Sequence, residues 1–504
     1  MNVPEMFTRS VERTPDRIAL TSPTGDRGYT YAELAEAVYA VANSLRDLGV
    51  ERGDRVAVAM TNSIDHVILN LGTQHCGGVV VPFNYRSSRG RVEHYLSESD
   101  PVVFAYDDGL EADLEQFYEE LSVSTFVDAA DAPDAFARPF SALLDGSSDR
   151  PDVDLGSDDL SVILYTSGTT GLPKGVPLDH RASVFRAIDT SLAQGSYVEG
   201  DTTVSTMPLY HTIGLHSNCL SRLLLSGTFV PMPEFDPAAY LAAIDRTEAT
   251  VLFTAPTILN QLLHCDAIDD ADLGSVRLLG YGGEPISEHL VDLAREQFAP
   301  DRLVNIYGTT ETYHPLALIH PTHSGRNGAF YRRRIVELGS EDPHAEVSPG
   351  ETGELIISTD SPIVFNGYWE NSEETAAAIH DGWFFTGDTA FETETGETAI
   401  SGRADDTIIS GGENIHPSEV EDVLISHPDV VDVGVTGVDD ERWGTAVKAF
   451  VVVDGDVTAD ELDEWCKASD RLDNFKRPRA YAFVDELPRN PSGKVLRHEL
   501  EGSS

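Results

Sequence analysis

Strand-like and helix-like stretches alternate along the first part of the chain, and this alternation restricts the fold more than any other feature. Thr30–Glu33 is typical of a helix start, in which the threonine caps the helix and the glutamate reaches back to it. Apolar residues follow at helical spacing as far as Gly49, and RVAVAM (55–60) is typical of a strand. A helix pattern, SIDHVILNLGTQHC, and a strand pattern, GGVVVPF, come next. Strands that alternate with helices indicate βαβ units, so the sequence predicts an α/β fold with a largely parallel sheet.

The rest of the chain changes character twice, and its 504 residues are enough for at least two domains. Residues 107–160 are rich in Asp, Ala and Ser, which predicts a mobile or excursion segment with little chemistry. Around GRADD (402–406) the chain becomes strongly charged. The last hundred or so residues contain two strand patterns and a helix pattern near 458–469. This composition indicates a separate small α+β domain at the C-terminal end.

The charge of the chain excludes several classes of partner. Asp and Glu number 85 against 35 Lys and Arg, for a net charge of −50, while 41% of the residues are hydrophobic. Such a chain has a folded core, but its surface repels nucleic acid and anionic lipid. Only five of the basic residues are lysines. Dense carboxylates with scarce lysine predict adaptation to a high-salt cytosol, with an ordinary acidic protein as the alternative.

Cysteines and apolar runs give no sign of metal binding or membrane insertion. Cys76, Cys219, Cys265 and Cys466 are far apart and form no CxxC pair, which argues against a zinc site. The N-terminal stretch has no apolar signal core, and no run of about 18 apolar residues occurs. We therefore expect a soluble, cytoplasmic protein.

The stretch YTSGTTGLPKG (165–175) is the strongest chemical signal. Glycines let backbone N–H groups approach phosphate oxygens, hydroxyls add donors, and a lysine adds positive charge. It is not a Walker loop, because GK[ST] is absent at the required spacing. A Gly/Thr loop alone would be an ordinary turn, but this composition predicts a phosphate-binding loop. Its candidate residues are Thr166, Ser167, Gly168, Thr169, Thr170, Gly171 and Lys174.

Four further motifs carry chemistry that is weaker in isolation. In NIYGTTE (305–311), Tyr307 can stack on a base, Thr310 can bond a phosphate, and Glu311 can hold Mg²⁺, which prefers oxygen ligands. In GWFFTGD (382–388), Asp388 can accept both hydroxyls of a ribose. The remaining two are GRADDTIISGGENIHPSEVE (402–421) and RNPSGKVLR (489–497), which contains Lys494. Each alone could equally be a strand end, a turn or solvated surface.

Taken together, the five motifs occur in one order with matching spacings, and the chain resembles the acyl-adenylate-forming superfamily from about Tyr29 to Arg497. That family comprises acyl-CoA and aryl-CoA synthetases, peptide-synthetase adenylation domains and beetle luciferases. Several stretches are most similar to its 4-chlorobenzoate–CoA ligase branch, among them MPLYHTIG, ERWGTAV, NFKRP and the connection at 320–340.

The resemblance implies both a fold and a reaction. The fold would be a large adenylation domain, residues 1–404, with two related α/β sheets and a β-rich subdomain. A small mobile α+β domain, residues 405–504, would rotate about a hinge at Asp405. The reaction would join a carboxylate to MgATP, giving acyl-AMP and pyrophosphate, and then transfer the acyl group to coenzyme A. ATP, Mg²⁺ and coenzyme A are thus the expected cofactors.

By the same resemblance, residues of the nucleotide site take specific roles. Bringing a carboxylate to a phosphate opposes two anions, at about 4 kcal/mol per charge pair 4 Å apart, so cations must offset the repulsion. Lys494 would bridge the carboxylate and the α-phosphate, Glu311 would hold Mg²⁺, and Tyr307 would stack on adenine. The other implied nucleotide contacts are Gly282, Gly283, Glu284, Pro285, Gly308, Thr309, Asp388 and Arg403. Lys494, Thr310, Glu311 and His211 are the candidate catalytic residues.

The resemblance also implies sites for the two acceptor-side ligands. Gly411 and Gly412 would flank the pantetheine tunnel, and Trp443, Phe475 and Arg477 would hold the coenzyme A nucleotide, although all three could be plain surface residues. His211 would stand at the edge of the acyl pocket. The other pocket candidates form a flat, mostly apolar slot with a polar end: Ile188, Met207, Thr212, Ile213, Tyr281, Tyr313 and His314.

The pocket residues favour an aromatic carboxylate, of the benzoate or cinnamate type, over a medium- or branched-chain fatty acid. Tyr313 and His314 differ from the smaller or apolar residues expected in the chlorobenzoate branch, which argues against chlorobenzoate itself. A luciferase-like oxygenase and an adenylating enzyme for another acceptor are the enzymatic alternatives. A catalytically dead sensor should have lost Lys494 or Asp388, and both are present. A homodimer stays open beside a monomer.

Overall fold

The computed structural model describes residues 1–130, 132–166, 172–194, 198–283, 286, 288–319, 324–410, 413–440, 442–469, 471–489 and 495–500. The α-helices are α1 Val3–Arg13, α2 Tyr31–Asp47, α3 Ile64–Cys76, α4 Arg89–Ser99, α5 His180–Gln194, α6 Ser221–Leu224, α7 Pro237–Thr247, α8 Pro256–Leu263, α9 Glu288–Phe298, α10 Ser372–Ala378, α11 Pro417–Leu424, α12 Ala459–Ala468 and α13 Arg497–Leu500. The strands are β1 Ile18–Thr21, β2 Gly28–Thr30, β3 Arg55–Ala59, β4 Val79–Pro82, β5 Val103–Tyr106, β6 Thr125–Asp128, β7 Arg138–Pro139, β8 Leu160–Tyr165, β9 Gly175–Asp179, β10 Thr202–Ser205, β11 Thr228–Pro231, β12 Val251–Thr254, β13 Leu278–Gly282, β14 Arg302–Tyr307, β15 Leu316–Ile319, β16 Ser324–Asn327, β17 Arg333–Val336, β18 Gly353–Ser358, β19 Ile379–His380, β20 Trp383–Glu392, β21 Thr398–Arg403, β22 Ile408–Ser410, β23 Glu413–Ile415, β24 Val430–Asp440, β25 Gly444–Val453 and β26 Ala480–Phe483. Short 3₁₀ turns lie at Leu114–Gln116, Tyr118–Glu120, Phe140–Asp145 and Asp266–Asp270, and Ile213–Leu220 is π-helical.

A seven-stranded sheet, in the order β7-β6-β5-β3-β4-β8-β9, holds the first half of the large domain. Its strands run parallel except β9, which pairs antiparallel with β8. The predicted start of α2 is confirmed: Thr30 accepts from the backbone N–H of Glu33, whose side chain bonds back to Thr30. The alternation of α2, β3, α3 and β4 therefore builds the parallel sheet that the sequence predicts.

The segment 107–160, predicted to be mobile or an excursion with little chemistry, contributes two strands to this sheet. β6 and β7 extend the sheet at its edge. Tyr118 and Phe136 stack with ring centroids 4.0 Å apart, and Phe126 meets the Phe136 ring edge-on at 5.6 Å. These aromatic rings bury large apolar surfaces and, with buried Leu114, Val127 and Leu143, pack this polar segment against the sheet.

A second large sheet runs from parallel to antiparallel. β12, β13 and β14 are parallel, and the order continues antiparallel through β15, β16, β21, β20, β18 and β17, with β19 beside β20. A smaller four-stranded sheet has the order β10-β11-β1-β2. The expected fold class, a large α/β domain with a β-rich part, is confirmed.

The C-terminal residues fold around a core of their own. β24, β25 and β26 form a three-stranded sheet, and β22 and β23 form a hairpin. The helix predicted near 458–469 is α12, which Thr458 caps through the N–H of Glu461. A hydrogen bond of 2.8 Å from Ser418 Oγ to the Ser401 carbonyl attaches α11 to the large domain. Within the described ranges, no helix combines the length and apolar composition needed to cross a bilayer.

Candidate active site

A cavity of about 1300 Å³ lies between the large domain and the first helix of the small one. The strands β12, β13 and β14 end at its wall, in keeping with the rule that ligands bind at the carboxyl ends of parallel strands. Pro417, Ser418 and Asp422 of α11 line the opposite side. The small domain therefore covers the site, and any rotation of it changes what faces the ligands.

The candidate ribose and adenine residues meet at one end of this cavity. Asp388 lies opposite Arg403 in the β20–β21 register, and Arg403 Nη1 is 3.2 Å from Asp388 Oδ1. The Tyr307 hydroxyl donates to Asp388 Oδ2. Burial and the neighbouring carboxylate raise the pKa of Tyr307 well above its usual value. Tyr307 therefore remains a protonated donor, and its bond to Asp388 fixes the ring at the end of β14.

A second polar group lies beside the predicted phosphate loop. Glu311, which is buried, accepts a hydrogen bond of 2.9 Å from the Tyr368 hydroxyl. The Lys174 ammonium lies 4.6 Å from the Tyr368 ring centroid and 2.9 Å from Glu374 Oε2. Thr166 N–H donates to the Lys174 carbonyl at 3.0 Å, which closes the base of the predicted phosphate loop. The sequence analysis missed Tyr368 and Glu374, which belong to no motif.

Part of the predicted site falls outside the described residues. These positions are Ser167, Gly168, Thr169, Thr170, Gly171, Glu284, Pro285, Gly411, Gly412 and Lys494.

Two glycines of the predicted nucleotide site allow close backbone contacts. A Cβ on Gly308 would lie 1.4 Å from the Tyr313 carbonyl oxygen, and one on Gly282 would lie 2.3 Å from the Ile306 carbonyl oxygen. The neighbouring backbone atoms cannot move far enough to make room for a Cβ, so side chains larger than glycine's are excluded at both positions. Gly283, Thr309 and Thr310 line the cavity beside them.

The acyl end of the cavity is lined by residues from several elements. Five of the predicted pocket residues line it together with His211: Met207, Thr212, Ile213, Tyr313 and His314. The sequence analysis missed Phe253, Ala255 and Ile306, which also line it. Ile213 begins the π-helical stretch, a conformation found mainly at functional sites. Tyr313 has a φ of +65°, a strained value that its surroundings must hold.

Two predicted acyl-pocket residues, Ile188 and Tyr281, lie away from this cavity. Neither is among the described residues of the cavity wall. Tyr281 is 1% exposed in a core cluster on the far face of β13, whereas Gly280 and Gly282 face Phe253, and Gly282 lines the cavity. Alternate residues of a strand point to opposite faces, so the tyrosine and the glycines cannot share one. Ile188 packs against the main core from α5.

A fully buried arginine that the sequence analysis missed connects the two ends of the cavity. Arg186 Nη1 donates to Thr212 Oγ1 at 3.1 Å, and Nη2 donates to the Thr310 carbonyl at 3.0 Å. Its Nε donates to the Ile363 carbonyl at 3.1 Å, and its guanidinium lies 5.2 Å from the Tyr313 ring. Arg186 thus positions the acyl-pocket helix relative to the loop that carries Glu311.

The histidines of the acyl end are neutral at pH 7. Desolvation lowers the pKa of His211 to about 4 and that of His314 to about 3. Burial lowers the pKa of His216 well below its ordinary value, and the nearby Arg186 charge adds to the shift. A neutral His211 cannot donate a proton as an imidazolium, so its contribution is contact and hydrogen bonding.

The hinge candidate lies in an exposed turn directly after β21. The Ala404 N–H donates to the Gly387 carbonyl at 2.8 Å and holds the chain to the large domain at that point. The next side chain, Asp405, is 86% exposed and 4.0 Å from Arg403. The chain is therefore free of close side-chain packing at Asp405.

Three of the predicted coenzyme A residues, Trp443, Phe475 and Arg477, lie among the described residues of the small domain. Trp443 and Phe475 are 37% and 45% exposed. Arg479 connects them, since it donates to the Phe475 carbonyl at 3.1 Å and lies 5.9 Å from the Trp443 ring. Arg477 forms an ion pair with Asp463, which occupies part of its hydrogen-bonding capacity. The sequence analysis missed Arg479, although the density of arginines in NFKRPRA was a usable signal in so acidic a chain.

Comparison with known proteins shows which protein family the chain resembles. The family model "AMP-binding enzyme" matches residues 7–369, and "AMP-binding enzyme C-terminal domain" matches residues 419–494. The chain is 35% identical to 4-chlorobenzoate–CoA ligase of Arthrobacter sp (98% of this chain and 94% of the relative covered). It is 34% identical to feruloyl-CoA synthase of Amycolatopsis sp (94% of each covered).

Solved structures with similar folds include two with nucleotide ligands. The anthranilate CoA ligase AuaEII in complex with anthranoyl-AMP has a TM-score of 0.91 at 25% identity, covering 100% of this chain and 97% of that one. ATP-bound MatB from Rhodopseudomonas palustris has a TM-score of 0.87 at 29% identity, covering 100% and 99%. The chain therefore belongs to the AMP-binding enzyme family, as an ATP-dependent, AMP-forming acyl/aryl-CoA synthetase.

Proposed function

We propose that the acid is a small aromatic carboxylate of the benzoate or cinnamate type. The observation that carries this proposal is the stack of flat rings at the acyl end of the cavity. The His314 ring is nearly parallel to Tyr313 and Phe253, with centroids 3.7 Å and 6.1 Å away and interplanar angles of 17°. Parallel rings favour a planar ligand, and each such contact adds about 0.5–1.5 kcal/mol beyond burial. The names of the relatives, chlorobenzoate and feruloyl ligases among them, support the same class.

In the first half-reaction, this chain's own residues would align the carboxylate with the α-phosphate. Asp388 and Arg403 would hold the ribose, the Thr166–Lys174 loop the phosphates, and Lys494 the two reacting anions. Mg²⁺ fits a site at Glu311, because it binds through one or two carboxylates and substrate phosphates. Among the described residues, no three metal-ligating side chains converge. When bound, the ion would neutralise phosphate charge.

In the second half-reaction, rotation about Asp405 would exchange Lys494 for Gly411 and Gly412. The exposed Trp443 and Phe475, with Arg477 and Arg479, would hold the coenzyme A nucleotide by stacking and phosphate pairing. Proline at Asp405 would fix φ and impede the rotation. We expect Asp405→Pro to keep adenylate formation and to lose acyl transfer, whereas Glu394→Pro, in another exposed turn, should lose neither. Normal acyl-CoA formation by Asp405→Pro would put the hinge elsewhere.

The proposal also includes the ionic strength at which the enzyme works. A net charge of −50 with five lysines suits a cytoplasm of high ionic strength, where screening limits repulsion between carboxylates. The assembly stays open between a monomer and a homodimer, and light scattering on the purified protein at high salt would distinguish the two.

The substrate proposal is tested by steady-state kinetics with ATP and coenzyme A. AMP formation would be measured across benzoate, hydroxybenzoates, cinnamate, butyrate, octanoate and palmitate. We expect the highest kcat/KM among the aromatic acids. A preference of about tenfold or more for any aliphatic acid over every aromatic one would overturn the substrate class and leave the ligase reaction intact.

A further inference from the structure

A chain of buried hydrogen bonds runs from α5 to the acyl end of the cavity. Thr190 Oγ1 donates to the Arg186 carbonyl at 3.1 Å, and a hydroxyl has only one proton to donate. The hydrogen bond between Thr190 and Tyr313 is therefore donated by the tyrosine hydroxyl. The Tyr313 oxygen lies 2.8 Å from Ser217 Oγ and accepts the proton of that serine. Tyr313 and Ser217 thus have no hydroxyl proton left for a ligand.

The last bond of this chain fixes which nitrogen of His314 carries the proton. Ser217 Oγ lies 3.4 Å from His314 Nε2, and having donated to Tyr313 it can only accept. Nε2 is therefore protonated. Since the ring is neutral at pH 7, Nδ1 has a free lone pair and no proton. No described residue donates to Nδ1, although the side chain is only 3% exposed.

A buried acceptor without a donor is unfavourable, and native proteins rarely leave one. His314 lines the acyl end of the cavity with His211 and Thr212. We infer, resting on the proposed aromatic-acid ligase function, that His314 Nδ1 accepts a hydrogen bond from the bound acid. The preferred acids would then carry a donor on the ring, such as a hydroxyl or an amino group. Tyr313, whose hydroxyl is engaged in the core, would contribute only its ring face.

The test compares substituents of similar size at the same ring position. The full-length enzyme would receive ATP, coenzyme A and benzoates with a hydroxyl, amino, methoxy, fluoro or methyl group at the meta or para carbon. We expect the best hydroxyl or amino acid to exceed its methoxy, fluoro and methyl counterparts in kcat/KM by about tenfold or more, because a site built around a hydrogen bond rejects analogues that cannot form it.

Variants separate this effect from ring electronics. His314→Phe keeps a ring between Tyr313 and Phe253 but lacks the acceptor, so the preference, measured as the ratio of kcat/KM values within the variant, should collapse to about onefold. Ser217→Ala removes the group that fixes the tautomer and should reduce the preference in part. His264→Phe, outside the cavity wall, is the matched control and should leave the preference unchanged.

Each other outcome has a definite meaning. Equal kcat/KM for hydroxyl and methyl acids, or a preference that survives His314→Phe and Ser217→Ala, would overturn the inference and leave the ligase reaction in place. Faster turnover of methoxy and fluoro acids would show that Nδ1 donates, which also overturns it. Failure to release AMP with any benzoate of the panel would overturn the inference, and failure with cinnamate as well would overturn the proposed substrate class.

Discussion

The two ends of one cavity use opposite electrostatic designs. At the nucleotide end, Asp388 pairs with Arg403 and Lys174 pairs with Glu374. These ion pairs supply charged groups to which phosphates and a cation can bind. At the acyl end, the histidines are neutral and hydroxyls form a closed network. A substrate ring gains from neutral lining groups, whereas a polyphosphate needs fixed charge. Because of this difference, we expect different substitutions and conditions to impair the function of each end.

Removing salt should have the largest effect, because it acts on both ends at once. With 50 excess negative charges, repulsion between carboxylates extends over about 30 Å at 0.01 M salt and only about 3 Å at 1 M. We expect cooperative folding and activity to require molar KCl. Circular dichroism melts and AMP formation from 0.01 to 3 M KCl would measure this. A protein that is folded and fully active in dilute buffer would refute the adaptation to high salt.

Removing the cation of the first half-reaction should come next. Lys494→Ala should lower adenylate formation by about 10³-fold, since one opposed charge pair is worth about 4 kcal/mol in a partly screened site. Thioester formation from supplied acyl-adenylate should be spared, because the anions are by then joined. Single-turnover assays of the two half-reactions make the comparison, and Lys448→Ala on β25 is the control. Equal loss in both halves would contradict the assignment.

The contrast between the ends also explains what could be predicted from the sequence. At the nucleotide end, the motifs and their order predict Tyr307, Asp388 and Arg403 as one site, and the structure brings these three together. Their chemistry depends on charge and on hydroxyls near strand ends, which local sequence displays. The parallel sheet was predictable for a similar reason, because the periodicity of α2 and β3 is local.

The acyl end could be predicted only in part, because its geometry depends on strand phase and on distant contacts. LLGYG does not reveal which face of β13 the tyrosine takes, and a shift of one residue exchanges Tyr281 for Gly280 or Gly282. Arg186 had no local signal, since Thr310 and Ile363 are 124 and 177 residues away in the chain. Tertiary packing alone defines these contacts.

Neutralising the ribose carboxylate should have a smaller effect that is confined to the nucleotide end. Asp388→Asn removes the charged partner of Arg403 and weakens charge-assisted bonds worth about 1.5–3 kcal/mol. We expect the KM for ATP to rise about 10- to 100-fold, with little change in the KM for the acid. Asp360→Asn is the matched control, because Asp360 pairs with Arg332 on the exposed surface. Equal increases in both KM values would mean that the two ends are not separable.

The smallest effect at neutral pH, and the one specific to the acyl end, concerns acid stability. Burial, and secondarily the Arg186 charge, lowers the pKa of His314 to about 3, against about 6.5 for an exposed histidine. Between these two pH values the histidine is protonated in the unfolded chain and stays unprotonated in the folded protein. The stability that depends on neutral His314 is therefore complete above pH 6.5 and is lost as the pH falls toward 3. The slope is about 1.4 kcal/mol per pH unit within that window.

Replacing the ring removes the titration of His314 and, with it, the electrostatic effect of His314 on His216. Burial raises the pKa of Asp189 to about 7, which lowers stability as the pH rises, but that contribution is common to the wild type and to His314→Phe and cancels in their difference. Urea unfolding at constant molar KCl, from pH 4.5 to 6.5, gives the free energy of each protein. We expect the wild type to lose about 1.4 kcal/mol more per pH unit than the variant. Identical slopes would mean that His314 takes up its proton inside the folded pocket, and that the acyl end is not kept neutral there.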